Sequence, residues 1–290
     1  MNEPQTYGVI TPARDEAEHL PRLAASLAAQ TVRPSRWVVV ENGSEDDTLG
    51  VARRLATELD WLRVVSCEPS SRAARGAPVV HAFHAGIDAL DLPVDVVAKV
   101  DADVSFGQDY FERLLAAFAR EPKLGLASGT CYDRLAGESK ERLVTGNHVW
   151  GAARAYRWDC LRDVLPLEAQ MGWDGIDVVK AQTHGWRTAT FRELPFHHYR
   201  REGTRDGSRW SAWLAQGQAA RYMRYRPSYL VLRSLHRAFR EPAALAILWG
   251  YVAATARREP RCDDPAVVAR LRAGQRFRAL PIRARQALGL

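Results

Sequence analysis

Short apolar runs alternate with stretches of helical periodicity between residues 7 and 100. Runs rich in valine and isoleucine are typical of buried strands, whereas leucines and alanines three or four residues apart are typical of one-sided helices. This alternation predicts an α/β fold in which crossover helices join parallel strands. We expect strands at 7–11, 37–40, 62–66 and 94–100, and helices at 18–30, 48–59 and 79–90.

The pattern is less regular in the second half of the chain. It predicts a helix at 110–120, a strand at 125–131 and a helix at 176–184, followed by a Gly-rich charged loop at 203–208. Residues 243–256 are almost wholly apolar but fall short of the roughly 20 residues that cross a bilayer, so we expect a buried or interfacial helix. The chain therefore divides into an α/β domain over 1–204 and a basic, mainly helical extension over 205–290.

Charge adds a second distinction between the two parts. The chain carries 41 basic and 34 acidic residues, a net charge of +7, and arginines recur from Arg200 onward. Such a surface favours anionic partners, although solvated helix faces account for it equally well.

The four cysteines are scattered, and the N-terminus has no basic or apolar stretch typical of a signal peptide. We therefore expect free thiols and a cytoplasmic location.

Polar residues follow the predicted strands where the chain leaves the sheet. Ligands of open parallel sheets bind at the carboxyl ends of the strands, so the loops after Ile10, Val40 and Val100 should form one site. Two carboxylates, in Lys99-Val100-Asp101-Ala102-Asp103, follow the last of these strands. Such a pair suits a divalent cation bound jointly with a diphosphate, although two acids in a loop are usually only solvated.

Asp101-Ala102-Asp103 resembles the Asp-X-Asp motif of GT-A glycosyltransferases, and the neighbouring segments are similar to the large inverting family 2. The resemblance covers about 7–204. It implies a GT-A (Rossmann-like nucleotide-diphospho-sugar transferase) domain in which Asp101 and Ala102 contact the donor and Asp103 binds Mn²⁺ or Mg²⁺. Several weak motifs in this order, each at a predicted strand end, are more specific than any one of them.

Two further segments carry the resemblance at the donor end. Residues 11–16, Thr-Pro-Ala-Arg-Asp-Glu, are similar to the family segment that lines the nucleotide, and 39–48 resemble its Val-Asp-Asp-Gly-Ser-X-Asp-X-Thr. Glu41 stands where the family usually has Asp, and a carboxylate there can accept a hydrogen bond from the ring N–H of a base. Ser44, Asp46 or Thr48 could cap the following helix, a role that we favour for them over direct contact with the ligand. The implied donor-binding residues are Thr11, Ala13, Arg14, Glu16, Glu41 and Asn42.

A basic loop completes the predicted donor site. Arg72-Ala73-Ala74-Arg75-Gly76 stands where the family has a basic, Gly-containing loop before a helix. A guanidinium can bind a base edge or diphosphate oxygens through a fork of donors. We expect one of Arg72 and Arg75 to contact the donor.

The candidate general base lies in Gly172-Trp173-Asp174-Gly175-Ile176-Asp177, which resembles the family's Glu-Asp segment. Aligning the helix on Gly185 places Asp174 on the family's Asp and leaves Trp173 in place of its Glu. Asp174 is therefore the predicted base, and Asp177 is the alternative or a structural partner. A capping acid at the start of a helix would show the same pattern.

Phe196-His197-His198-Tyr199-Arg200 resembles the late histidine-containing segment of the family. Adjacent strand residues point to opposite faces, so one histidine should reach the metal, and we select His197. An imidazole ligand favours Mn²⁺ over Mg²⁺. Trp150, Arg154 and Trp173 are candidates for the acceptor pocket, with an ordinary core role as the alternative.

The resemblance implies an inverting enzyme that transfers a sugar from a nucleotide-diphosphate donor, by family weight a UDP-sugar, to a hydroxyl acceptor. The implied acceptor is a sugar, a lipid-linked molecule or a small molecule, in surface polysaccharide or glycoconjugate synthesis. A sugar-nucleotide pyrophosphorylase would need an early Gly-rich loop that 11–18 lack. A second alternative is a non-catalytic protein that binds nucleotide, nucleic acid or membrane; we expect no nucleic acid partner, since the aromatic-basic signature is missing. Residues 229–261 could dock on an acidic membrane, through Leu245, Ile247, Leu248, Trp249 and Tyr251, or pack on the catalytic domain.

Overall fold

The computed structural model describes residues 5–68, 76–135, 138–142, 149–200, 209–239 and 241–276. Its strands are β1 (Tyr7–Ala13), β2 (Arg36–Glu41), β3 (Leu62–Ser66), β4 (Val96–Val100), β5 (Val104–Phe106), β6 (Leu124–Leu135), β7 (Glu138–Glu141), β8 (Ala153–Arg157) and β9 (Arg187–His198). Its helices are α1 (Leu20–Ala28), α2 (Thr48–Glu58), α3 (Ala77–Ala89), α4 (Tyr110–Arg120), α5 (Trp158–Val164), α6 (Trp173–Thr183), α7 (Arg209–Tyr222), α8 (Pro227–Ala238), α9 (Ala246–Ala256) and α10 (Pro265–Ala273), with a 3₁₀ turn at Pro242–Leu245.

The strands that the structure describes form one sheet in the order β3-β2-β1-β4-β8-β6-β9-β5, with β7 added on β6. The four strands predicted first, β1 to β4, pair in parallel. The other half is mixed, since β8 runs antiparallel between β4 and β6, β9 is parallel to β6, and β5 is antiparallel on β9. The predicted α/β fold is confirmed, and the antiparallel half extends it.

Alternate strand residues supply two cores, one on each face of the sheet. Val9 and Val39 pack with the leucines of α1, whereas Ile10, Val38 and Val40 pack on the other face with residues of α3 and α5. The buried residues of α1 are spaced three or four apart, as a one-sided helix requires: they are Leu20, Leu23, Ala24 and Leu27. Because both faces are covered by helices, the loops at the strand ends remain the open part of the sheet.

The C-terminal region packs against helix α6 of the α/β part of the chain. Ile176 and Val179 of α6 share a buried cluster with Met223, Cys262 and Val267. None of the described helices is long and apolar enough to cross a membrane. The predicted division at 204/205 falls at residues outside those described, and it stays a prediction.

Helices α7 and α9 approach each other through two glycines. A Cβ at Gly250 would lie 2.1 Å from the backbone oxygen of Leu214, and a Cβ at Gly217 would lie 2.1 Å from the backbone oxygen of Ile247. Any side chain larger than hydrogen would therefore separate the two backbones. This contact fixes α9 in the C-terminal region.

We predict that Gly250→Ala lowers the free energy of unfolding by about 1–3 kcal/mol, because the added methyl group meets backbone that cannot rotate away. Gly175→Ala is the matched control, since a Cβ at this helical glycine of α6 meets nothing within 4 Å. The control should keep or gain stability, by about 0.5–1 kcal/mol. Urea unfolding of both variants measures the difference, and equal stability of the two would contradict the close approach of α7 and α9.

Candidate active site

The loops after β1 and β2 are joined by side-chain hydrogen bonds. The Asp15 N–H donates to Ser44 Oγ at 3.1 Å, and the Ala17 N–H donates to Asp46 Oδ2 at 3.0 Å. The Glu16 N–H donates to Thr48 Oγ1 at 2.7 Å. The N-cap residue of α2 is Asp47, and Ser44, Asp46 and Thr48 connect the two loops and fix them to each other.

Of the predicted donor-binding residues, Arg14 is exposed, whereas Glu41 and Asn42 at the end of β2 are buried. Asn42 donates through Nδ2 to the backbone oxygen of Pro78 at 3.2 Å. Glu41 accepts from the Ser44 N–H at 2.6 Å, which closes the turn after β2. Arg72 and Arg75 lie outside the described residues.

The side chains of Thr11, Ala13 and Ala102 lie in the core. Thr11 is fully buried and accepts a hydrogen bond from Trp37 Nε1 at 2.9 Å. Ala13 and Ala102 belong to the same buried cluster as α1. A donor contact at these three residues would therefore use their backbone atoms, and the prediction that they bind the donor stays a prediction.

Asp101 is held at the end of β4 by Lys99. The buried Lys99 ammonium contacts the Asp101 carboxylate and donates to the Gly151 backbone oxygen at 2.8 Å. Burial, together with the charge of Asp103, raises the pKa of Asp101, and the charge of Lys99 opposes that rise. Lys99 thereby fixes both the first acid of the motif and the segment that contains Gly151.

The second acid of the motif, Asp103, is buried between two cationic or basic side chains. Its Oδ1 lies 3.6 Å from His198 Nε2, and its Oδ2 lies 3.8 Å from Arg200 Nε. The guanidinium of Arg200 also binds Glu16 with two hydrogen bonds, at 3.0 and 3.2 Å. Glu16 therefore lies in the wall of the site beside Asp103, where it binds Arg200. Arg200 was not among the predicted site residues.

His198, and not the selected His197, is the histidine beside Asp103. The His197 ring lies 6.2 Å from the ring of Tyr132, on the other face of β9, and its pKa is lowered by burial and by Arg134. As expected from the alternation of side chains along a strand, only one of the two histidines lies at the site. The prediction of His197 as that histidine is wrong, and His198 takes its place.

Asp103 and His198 suit a divalent cation. Ions of this class bind oxygen and nitrogen ligands at about 2.1 Å, so two atoms that share an ion lie at most about 4.2 Å apart. The 3.6 Å between Asp103 Oδ1 and His198 Nε2 meets that condition. Among the described residues, no group of three or more acidic, histidine or cysteine side chains is gathered into a complete set of ligands. A cation at this pair therefore needs ligands from a bound substrate.

Asp174 and Asp177, one helical turn apart on α6, have different surroundings. Asp177 is buried and binds the guanidinium of Arg154 and the hydroxyl of Tyr156. Asp174 is half-buried, and a Cβ at Gly151 would lie 3.1 Å from its Oδ2. Asp177 is thus occupied as a structural partner, whereas Asp174 lies against the segment that Lys99 holds next to Asp101.

Arg154 is a core residue and does not line an open acceptor pocket. Its side chain is 0% exposed and donates to the backbone oxygens of Val149, at 2.6 Å, and Asp174, at 3.0 Å. Burial alone would lower the pKa of Arg154, but the charge of Asp177 outweighs it and raises that pKa. The guanidinium also lies 4.9 Å from the ring of Trp173. The alternative of a core role therefore holds for Arg154.

Both tryptophans of the expected acceptor pocket are largely buried near the same segment. The Trp173 ring lies 5.7 Å from the Lys99 ammonium, and the Trp150 ring lies 5.0 Å from the Arg142 guanidinium. They support the walls around Gly151. Sequence analysis missed Arg142 and Asp133, and no local motif marks them.

Comparisons with known proteins agree with this architecture. Residues 8–166 match the family model described as "Glycosyl transferase family 2". Glycosyltransferase AglE of Haloferax volcanii is 30% identical over 165 residues, which are 56% of this chain and 46% of AglE. The match thus spans less than half of that relative.

Two solved structures share the fold. The mannosyltransferase PcManGT from Pyrobaculum calidifontis, in complex with GDP-Man and Mn²⁺, has a TM-score of 0.58 and 16% identity, over 98% of this chain and 85% of that one. S. aureus TarS 1-349 in complex with UDP-GlcNAc has a TM-score of 0.55 and 20% identity, over 74% of this chain and 65% of that one. At these identities the likeness is one of fold, the GT-A fold.

We predict that Asp177→Ala lowers the free energy of unfolding by about 3–5 kcal/mol, because it leaves the buried Arg154 without its carboxylate. Asp174→Ala, on the same helix, should cost less than about 1 kcal/mol, the usual value of an acid in the first turn. The double variant Arg154→Met/Asp177→Leu should regain most of the stability, since it removes both buried charges. Urea unfolding of the three proteins checks this, and a stable Asp177→Ala protein would contradict the structural role.

Proposed function

This chain belongs to glycosyl transferase family 2, and we propose that it is a glycosyltransferase, which transfers a sugar from a UDP-sugar to a hydroxyl group with inversion at the sugar carbon. Asp174 is the general base, and Asp103 with His198 binds a divalent cation, Mn²⁺ in preference to Mg²⁺. The acceptor class is a sugar or lipid-linked molecule of surface polysaccharide or glycoconjugate synthesis.

The position of Gly151 is the observation that carries this proposal. Its backbone oxygen accepts from Lys99, which also contacts Asp101, and its Cα faces the Asp174 carboxylate. Asp101, through Lys99, and the proposed base Asp174 are therefore both next to the short segment that contains Gly151. A donor anchored at the strand ends would have its sugar between them.

The donor end is supported by the joined loops after β1 and β2. Glu41 and Asn42 end β2, and the backbone N–H of Asn42 donates to the Ala13 oxygen at 3.0 Å. In this proposal these residues receive the base and the ribose, Arg14 reaches the diphosphate, and one of Arg72 and Arg75 supports it. PcManGT is in complex with GDP-Man and TarS with UDP-GlcNAc, so GDP-sugars should be tested beside UDP-sugars as donors.

The transfer step needs one carboxylate. Asp174 takes the proton of the acceptor hydroxyl while the acceptor oxygen forms a bond to the anomeric carbon from the face opposite the diphosphate. The bond between that carbon and the diphosphate oxygen breaks, and its electron pair leaves with the nucleoside diphosphate. When bound, the cation supplies positive charge that stabilises the diphosphate as it leaves.

An acidic membrane surface is the second partner that we propose, at the cytoplasmic face. The exposed residues Val231, Leu232 and Leu235 of α8 form one apolar stripe with Phe239 at its C-cap, and Trp249 and Val252 of α9 form another with Leu245 at its N-cap. Between 209 and 262 the sequence has ten arginines against Glu241 and Glu259. Apolar side chains flanked by arginines are typical of helices that lie in the interface of anionic lipid.

The structure changes which residues of the predicted membrane segment are available. Ile247 is buried in a cluster with Leu230 and Ala244, and Leu248 and Tyr251 are half-buried. Trp249 is 65% exposed and Phe239 is 90% exposed. The proposed membrane contact therefore uses Phe239 and Trp249. Ile247 instead packs against the protein, which was the alternative for this segment.

We expect UDP to bind the wild-type protein more tightly in the presence of Mn²⁺, and Asp103→Asn to lose that gain while retaining metal-free binding. Asp174→Asn should keep both modes of binding and lose at least about 100-fold in UDP release from UDP-sugars, the usual contribution of a general base. Calorimetry measures binding, and a coupled assay measures UDP release. No binding of UDP or GDP, with or without Mn²⁺, would refute the donor site.

For the membrane partner, we expect co-sedimentation with vesicles of phosphatidylcholine and phosphatidylglycerol but not with phosphatidylcholine alone. Trp249→Ser and Phe239→Ser should each weaken binding by about tenfold, the order expected for one large apolar side chain, and high salt should weaken it further. Leu92→Ser is the matched control, because Leu92 is an exposed apolar residue far along the chain from α8 and α9. Equal binding of all variants would exclude this surface.

A further inference from the structure

The imidazole of His198 lies between two carboxylates from neighbouring strands. Strand β9 runs between β5 and β6, and His198 pairs with Val104 on one side and with Asp133 on the other. Its Nε2 lies 3.6 Å from Asp103 Oδ1, and its Nδ1 lies 3.5 Å from Asp133 Oδ1. Each ring nitrogen therefore faces its own carboxylate.

The Nδ1 contact decides where the lone pair of the ring points. In a neutral imidazole one nitrogen carries hydrogen and the other a lone pair, and the partner of one nitrogen selects the state of the other. His198 Nδ1 and Asp133 Oδ1 are both buried, and within the described part of the chain neither has a hydrogen-bond partner other than this close approach. A hydrogen on Nδ1 directed at Asp133 leaves the Nε2 lone pair directed at Asp103.

We propose that Asp133 is a positioning residue, which orients the His198 imidazole and fixes its hydrogen on Nδ1, so that Nε2 and Asp103 together bind the divalent cation. This inference rests on the proposed function. A histidine that binds a metal commonly donates its second N–H to a carboxylate, which holds the ring and strengthens the ligand. Asp133 itself lies on the Nδ1 side of the ring, away from Asp103.

The surroundings of Asp133 support this role. The Arg142 Nε lies 3.6 Å from Asp133 Oδ2, so the two oxygens of the carboxylate face different partners. The positive charge of Arg142 offsets the cost of holding a carboxylate that is only 25% exposed. Asp133 is thus anchored on one oxygen and presents the other to His198.

The test measures Mn²⁺ affinity by the electron spin resonance of free Mn²⁺, with the protein saturated with UDP. Asp133→Asn should weaken Mn²⁺ binding about 10–100-fold, the usual effect of losing such a partner. Glu141→Gln is the matched control. Glu141 is exposed on β7 and pairs with Tyr132, the neighbour of Asp133 on β6, so this substitution removes one negative charge from the same pair of strands. It should change Mn²⁺ affinity less than about twofold, since exposed charges are screened.

A double-variant cycle separates positioning from direct attraction between Asp133 and the ion. In a His198→Ala background, Asp133→Asn should have less than about a twofold further effect, because a positioning residue acts only through the ring. Nitrogen NMR of histidine-labelled, metal-free protein should show Nδ1–H on His198 in the wild type and a changed tautomer ratio in Asp133→Asn. Asp133→Glu, which keeps the charge for Arg142 but shifts the oxygen, serves if Asp133→Asn does not fold, and it should also lower Mn²⁺ affinity.

Equal Mn²⁺ affinities of Asp133→Asn and Glu141→Gln would overturn the proposal, and so would an undiminished effect of Asp133→Asn in the His198→Ala background. These results leave the donor proposal standing, because the wild type would still bind Mn²⁺ with UDP. A wild type that binds UDP without any effect of Mn²⁺ would instead reject the metal at Asp103 and the role of Asp133 with it.

Discussion

Carboxylates crowd the carboxyl edge of this sheet, and the site depends on the fixed cationic side chains that are placed against Asp101, Asp177 and Glu16. Two like charges 4 Å apart repel by about 4 kcal/mol at the effective dielectric constant near a protein surface. Lys99 contacts Asp101, Arg154 contacts Asp177, and Arg200 binds Glu16. These partners come from β4, β8 and the end of β9, so the electrostatic balance of the site depends on the antiparallel half of the sheet as well as on the parallel half that the nucleotide loops follow.

The same balance assigns different roles to neighbouring acids. Asp177 is buried against Arg154 and Tyr156, so its carboxylate is closed off from the hydroxyl group of a substrate. Asp174 lies one turn earlier and only half-buried, against Gly151. Arg154 also donates to the backbone oxygen of Asp174. The buried Arg154–Asp177 ion pair therefore fixes the start of α6, the helix that carries the proposed base.

Local pattern predicted those parts of the fold whose partners are close in sequence. The four parallel strands and their helices follow from periodicity, and the acids at 101, 103 and 174 follow from motifs at strand and helix ends. The burial of Thr11 against Trp37 and of Arg154 against Asp177 could not be read in this way, because each contact joins elements more than twenty residues apart. For the same reason Asp133, which meets His198 across β6 and β9, carries no local signal.

The choice between His197 and His198 shows why alternation alone is insufficient. Gly129 of β6 pairs with Phe191, but the next residue, Thr130, pairs with Pro195, so β9 contains three residues more than β6 at this point. Without that irregularity Asp133 would pair with Pro195, and an odd number of extra residues exchanges the two faces of the strand. A Cβ at Gly129 would lie 1.9 Å from the backbone oxygen of Leu194, so only glycine admits the bulge there. Gly129 on β6 thus admits the bulge that brings His198 opposite Asp133, while the pairing of His198 with Val104 on β5 places it beside Asp103.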